Sequence, residues 1–152
     1  EIAEETMLAF QEVGNVVEDV IADYLVRRLP GWVKPKPRRS RSGIWGSPDG
    51  WHSRSRTITE IKVTWVSERD FLDSLKWLGY LKQAMFYADL FEAVRIRILV
   101  LFVNGSYPRG KPFPVPRGWT VRFTKAEARE WHRQLAQHGL DMGLPVRLPE
   151  AA

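Results

Sequence analysis

Residues 98–103 read Ile-Leu-Val-Leu-Phe-Val, six apolar side chains in a row inside the longer segment VRIRILVLFVNG. A strand sends successive side chains to opposite faces, so an unbroken apolar run asks for burial on both. That demand is met by a sheet with a layer of structure on each side.

The remaining segments supply such layers. Over residues 2–29, Met7, Phe10, Val13, Val17, Val20, Ile21, Tyr24 and Leu25 recur at helical spacing, and Pro30 and Gly31 end the pattern. GWVKPKP predicts a short edge strand, because its prolines bar it from a sheet centre. Residues 44–51 and 57–65 predict two strands joined by the polar turn HSRSR. Residues 70–91 predict a long amphipathic helix carrying Phe71, Leu72, Leu75, Leu78, Leu81, Met85 and Leu90. The apolar strand follows, then the loop GSYPRGKPFPVPRG and a short strand, WTVRF. Thr124 and Glu127 form a capping-box signature opening a last helix, closed by Gly139. Residues 141–152 read as an irregular tail. The expected order is α-β-β-β-α-β plus a further strand and helix: an α/β domain with a mixed central sheet flanked by helices. A length of 152 residues suits one domain spanning 1–152. Its start at Glu1, already inside a helical pattern, points to a piece of a longer protein.

Composition narrows the chemistry. With no cysteine there is no disulfide, no Cys-ligated zinc or iron–sulfur cluster and no thiol nucleophile. No apolar run is long enough to cross a bilayer and the start lacks a signal-peptide layout, so the expectation is a cytoplasmic protein without a membrane partner. The net charge of +5 favours a polyanionic partner. From Arg27 to Arg56 the charged residues are nine Lys and Arg, among them Arg38, Arg39, Arg41, Arg54 and Arg56, and the single acid Asp49. A basic surface around one carboxylate suits phosphate binding with a metal ion; a solvated basic loop is the plainer alternative.

In TITEIKVTW, residues 57–65, alternation puts Thr59, Ile61, Val63 and Trp65 on one face, expected to be core, and Ile58, Glu60, Lys62 and Thr64 on the other. If the preceding strand pairs as a hairpin, Asp49 comes within reach of Glu60. Two carboxylates converging from neighbouring strands, with the Ile61 carbonyl as a third oxygen, make a hard-cation site for Mg²⁺ or Mn²⁺. Lys62 beside it would act on water or steady phosphoryl charge. The alternative is an ordinary exposed ion pair. On the second long helix, Lys76, Tyr80, Gln83 and Tyr87 share one polar stripe, either a wet surface or a set of hydrogen bonds to nucleic acid. Trp45 and Trp51 flank the Asp49 turn and suit either base stacking or core packing; His132 and His138 are expected to face solvent, and His52 to be a turn residue.

These residues resemble a known family. SPDG followed by EIK resembles the signature of the PD-(D/E)XK nuclease superfamily, whose restriction-endonuclease-like core is also αβββαβ. Gly14-x-x-x-Glu18 resembles its first acidic motif, and Gln83-x-x-x-Tyr87 the QxxxY motif of the RecB-like and lambda-exonuclease-like branch. The resemblance implies a metal-dependent DNA nuclease with Glu18, Asp49, Glu60, Lys62, Gln83 and Tyr87 in the catalytic set. Glu18 would help hold a metal or orient Lys62. Many RecB-like nucleases and CRISPR-associated relatives carry a His at that helical position and a cysteine-bound cluster; Glu18 and the absence of cysteine point instead to the phage-exonuclease type. The implied reaction leaves a 5′-phosphate on DNA ends or single strands in replication, recombination or phage DNA processing. A homo-oligomer or a partner helicase or recombinase would fit. A Holliday-junction or restriction-type endonuclease is the nearest alternative, and a catalytically idle nucleic-acid-binding module the alternative from another class.

Overall fold

A computed structural model describes residues 4–103 and 115–149. The 25-residue helix α1 (Glu4–Arg28) comes first, followed by β1 (Trp32–Val33), β2 (Arg38–Arg39), β3 (Trp45–Gly46), β4 (Gly50–His52) and β5 (Thr57–Thr64). A 3₁₀ turn (Glu68–Asp70) leads into α2 (Leu75–Leu90), then β6 (Arg95–Phe102), β7 (Val115–Val121) and α3 (Lys125–Asp141). Met7 and Phe10 of the predicted apolar stripe, most of the predicted loop after β6 and the end of the tail lie outside the described side chains.

The main sheet has the order β1-β4-β5-β6-β7. β5 and β6 run parallel through eight registered pairs, from Thr57↔Arg95 to Thr64↔Phe102. A parallel pair needs a crossover, and α2 provides it. The other pairings are antiparallel, so the sheet is mixed, as the sequence predicts. α1 packs on one face, against β5 and β1; α2 packs on the other and carries α3 on its back.

The core lies mainly on the α2 face. Phe71 sits at its centre with Phe102 at 5.1 Å, Trp77 at 5.4 Å and Trp119 at 5.7 Å between ring centroids. Ile58, Ile96, Ile98 and Val100 close it from the sheet, and Ala84, Met85 and Ala88 from α2. The β5 face carrying Glu60 and Lys62 is therefore the one turned toward this core, while Ile61 and Val63 are buried beneath α1.

Several boundaries differ from the sequence reading. Residues 44–51 do not form one strand, because Pro48 has no N–H to give a ladder and the chain turns there. β3 instead pairs with β2 in a separate two-residue ribbon. α2 begins five residues later than predicted, where the Ser74 side chain accepts the Trp77 N–H and caps it. Its apolar residues divide: Leu72, Leu75 and Leu78 are exposed, Leu81 and Leu90 pack half-buried against the core, and Ala84, Met85, Phe86 and Ala88 are buried. β6 is buried fully on one face alone; Arg95 and Arg97 are exposed and Leu99 and Leu101 half-buried. α1 leaves an apolar cavity of about 220 Å³ beside these leucines. β7 begins at Val115, its Pro116 being tolerated because the strand is an edge. The Thr124–Glu127 capping box forms, but α3 runs past Gly139, and Gly143, at φ +75°, follows its last turn.

Candidate active site

β4 pairs with β5 for only three residues, Gly50↔Thr59 to His52↔Thr57, and then the chain turns away. Beyond that point the outer edge of β5 has N–H groups without a strand partner. Buried backbone donors need acceptors, and two carboxylates serve. Asp49 Oδ2 accepts the Ile61 N–H at 2.7 Å, and Glu18 Oε1 accepts the Val63 N–H at 2.9 Å. Glu18 reaches the strand because Gly14, one helical turn earlier, is buried against Val63 and Trp65. The Ile61 carbonyl leaves on the same edge as its N–H, so it points toward Asp49.

The side chain of Glu60 is enclosed, with 1% of the residue exposed. One oxygen, Oε2, lies 3.1 Å from Lys62 Nζ; the other, Oε1, accepts the Asp49 N–H at 3.4 Å. Asp49, Glu60 and Lys62 thus meet at the fork between β4 and β5. From α2, the Tyr80 ring lies 5.7 Å from Lys62 Nζ, and Gln83 donates to the Tyr87 hydroxyl at 3.1 Å. The stripe of Tyr80, Gln83 and Tyr87 faces the fork; Lys76 at its start is exposed.

Burial dominates the electrostatics. It pushes the Glu60 carboxyl up to about 8, against the pull of Lys62 and with added repulsion from Asp49. Burial also raises Glu18 and Asp49, with Lys62 opposing in each case. For Lys62, burial works to lower the value, but Glu60, Asp49 and Glu18 together overcome it and push the ammonium up to about 12. Three carboxyls reluctant to ionise around one retained cation is an environment short of positive charge. A divalent ion between Asp49 and Glu60 would supply it, with the Ile61 carbonyl and waters completing an all-oxygen set of the kind magnesium takes. Among the described residues no three His, Asp or Glu side chains converge on one point, so the pair and the carbonyl are the candidate ligands. Glu18, held on the Val63 N–H, stands one pleat away.

The fold has counterparts among solved structures. It is similar to that of a phage-related exonuclease. That protein, from Haemophilus somnus 129PT, matches with a TM-score of 0.55 at 16% identity, over 84% of this chain and 68% of its own. SSO0001 matches with a TM-score of 0.54 at 13% identity, over 90% of this chain and 62% of its own. This chain therefore spans less than two thirds of SSO0001. No family model matches the chain, and no curated protein matches it in sequence.

The predicted phosphate-gripping residues divide into two groups. Arg38 and Arg39 lie on the β2–β3 ribbon, which Gly46 seats on α2: a Cβ there would meet Tyr87 and Phe86 carbons at 2.6 and 2.7 Å. Arg38 stacks on the Phe91 ring at 4.2 Å, while Arg39 is paired across the ribbon with Trp45, which is 64% exposed. Trp51 instead packs on Phe91, so of the two Trp45 is the one exposed for stacking on a base. Arg41 is exposed at the ribbon's tip. Arg54 and Arg56 lie in the β4–β5 turn, beyond the start of β5 at Thr57, itself about 10 Å along the strand from Glu60 at ~3.3 Å per residue. The Arg56 guanidinium donates to the Glu92 carbonyl. No described helix is long and apolar enough to cross a membrane.

His132 is buried, not solvent-facing. Its Nε2 lies 2.7 Å from Ser42 Oγ and its Nδ1 2.7 Å from Asp89 Oδ2. The order Ser–His–Asp matches a nucleophilic triad, yet Ser42 has no exposed surface for a substrate to reach. The three residues fasten the ribbon's tip to α2 and α3. They stand 43 to 90 positions apart, and no spacing signal could have joined them.

Proposed function

We propose that this chain is a divalent-metal-dependent deoxyribonuclease, acting as an exonuclease on DNA ends or single strands. The observation that carries the reading is the meeting of Asp49, Glu60 and Lys62 at the β4–β5 fork, in a fold shared with a phage-related exonuclease. Asp49, Glu60 and the Ile61 carbonyl would hold Mg²⁺ or Mn²⁺, which would supply Lewis-acid polarisation of the phosphodiester and a lowered pKa for water.

The chain's own groups do the rest. Lys62, kept cationic by its carboxylate neighbours, stands where negative charge builds on the phosphorus oxygens. Glu18 holds the Val63 backbone, and with it the β5 edge that carries Ile61 and Lys62. Gln83 and Tyr87 orient the scissile strand, with Tyr80 bracing Lys62. Arg39, Arg41 and Trp45 line the approach from the ribbon, with Arg38 anchoring it and Lys76 outside.

End-labelled linear duplex, single-stranded and closed circular DNA, each incubated with Mg²⁺, Mn²⁺ or EDTA, test the reading. Linear substrates are degraded with metal and spared in EDTA, and the closed circle stays intact. Nicking of the circle would mark an endonuclease instead, and full activity of Asp49→Ala or Lys62→Ala would remove the site.

A further inference from the structure

The sheet face turned away from α2 carries a second cluster of cations. β6 and β7 are antiparallel, with Ile96 opposite Val121 and Arg97 opposite Thr120. Arg122 follows directly on the end of β7, and Arg95 precedes Ile96. Residues opposite one another or two apart along a strand share a face, so Arg95, Arg97, Thr120 and Arg122 stand together. They line a cavity of about 440 Å³, with Val94 and Phe123 at its margin.

This arrangement opposes stability. Like charges gathered around one cavity repel. Among the described residues, none of the three arginines has an ion-pair partner. Nothing in the fold requires cations there: the α2 face of the same strands is core, and Arg95, Arg97 and Arg122 are all exposed.

The cluster is separate from the fork. Glu60 is opposite Ile98 in the β5–β6 register, and Arg97 is opposite Thr59. Glu60 therefore leaves on the α2 side of the sheet and Arg97 on the α1 side. No phosphate can touch both groups at once.

We infer that Arg95, Arg97 and Arg122 form a second contact for the phosphate backbone of nucleic acid, remote from the reacting bond. Guanidinium forks bind phosphate oxygens in pairs, and an anion between Arg95 and Arg122 turns their repulsion into attraction. An extended polyanion is favoured over a small one because the exposed arginines are spread, two along β6 and one just after the end of β7. The inference rests on DNA being the substrate. It adds a site that only DNA long enough to pass around the sheet can reach.

The test uses the full chain in EDTA, with fluorescence anisotropy of labelled 10-mer and 60-mer single strands across a salt series. For Arg95→Glu/Arg122→Glu, affinity for the 60-mer falls at least tenfold, and the slope of log K against log salt drops by about two. Affinity for the 10-mer, and its cleavage rate in Mg²⁺, stay within about twofold of the unsubstituted chain. Should the double variant not fold, Arg97→Gln is read instead, with a slope change of about one. Equal binding of the 60-mer by variant and parent would overturn the proposal and leave the nuclease reading standing. Loss of binding by the variant in a chain that cleaves no DNA would sink the nuclease reading and keep the anion site. Polyglutamate of matched charge competing as well as the 60-mer would also overturn it, by marking an acidic protein partner.

Discussion

Glu60 is enclosed as a carboxyl whose proton the folded chain holds up to about pH 8. Between the ordinary carboxyl value of 4.5 and that point, the native state binds a proton that the unfolded chain has released. Metal-free stability therefore falls as pH rises through this window and levels off above it; the raised values of Asp49 and Glu18 act with the same sign. Thermal melts in EDTA from pH 5 to 9 show the fall, and Glu60→Gln flattens it and melts several degrees higher at pH 8. Adding Mg²⁺ at pH 8 reverses the order. At about a hundred times its dissociation constant the ion stabilises the unsubstituted chain by about 2.7 kcal/mol, and it leaves Asp49→Asn/Glu60→Gln unmoved. Lys62→Met and Asp49→Asn lower cleavage by more than about a hundredfold while binding of DNA in EDTA persists, because neither is part of the basic surface.

Among the elements, the ribbon of β2 and β3 is the most exacting. It has only two pairs of its own and depends on what holds it. Gly46 gives close approach to α2, and the Ser42–His132–Asp89 chain ties its tip down. Gly46→Ala drives a Cβ into the Tyr87 and Phe86 rings, an overpacking cost of about 1–3 kcal/mol. A lowered melting temperature records it, and cleavage falls further than stability because Tyr87 is displaced. His132→Leu keeps the volume but leaves Ser42 and Asp89 without their buried partner, at about 1–3 kcal/mol each. That loss appears in denaturant unfolding, and the variant still cleaves DNA below its melting temperature. A catalytic serine would instead make Ser42→Ala inactive without destabilising it.

At the scale of the molecule, the core and the fork meet at Tyr80, whose ring lies 6.0 Å from that of Phe71 and 5.7 Å from Lys62 Nζ. The carboxylates at the β4–β5 divergence add repulsion, but Asp49 also accepts the Ile61 N–H. The chain with Asp49, Glu60 and Lys62 all replaced by Ala keeps the far-UV circular dichroism of the parent but melts lower in EDTA than Asp49→Asn/Glu60→Gln, because the Ile61 N–H loses its acceptor, at about 1–3 kcal/mol. Equal melting of the two variants would show that the Asp49 bond adds nothing to the hold on the sheet. The two faces of the sheet are also unequal. α2 and α3 lie on one, whereas on the other α1 packs mainly over β5 and β1, and among the described residues Arg95 and Arg97 of β6 stay exposed.

The order of helices and strands was legible because periodicity is local: β5 could be read from TITEIKVT and α3 from its capping box. The pairing of Glu60 with Lys62 on one face followed from alternation alone. Local pattern could not say where β4 would part from β5, since that depends on the Pro48–Asp49 turn and on Glu18 arriving from a helix 45 residues away to take the Val63 N–H. Nor could it separate Trp45 from Trp51, or find Ser42 beside His132, because burial is decided by whichever distant surface arrives. The amino-acid order determined which side chains share a face. Only the packing of α1, α2 and the ribbon onto the sheet decided which of those faces met a core, a carboxylate or open solvent.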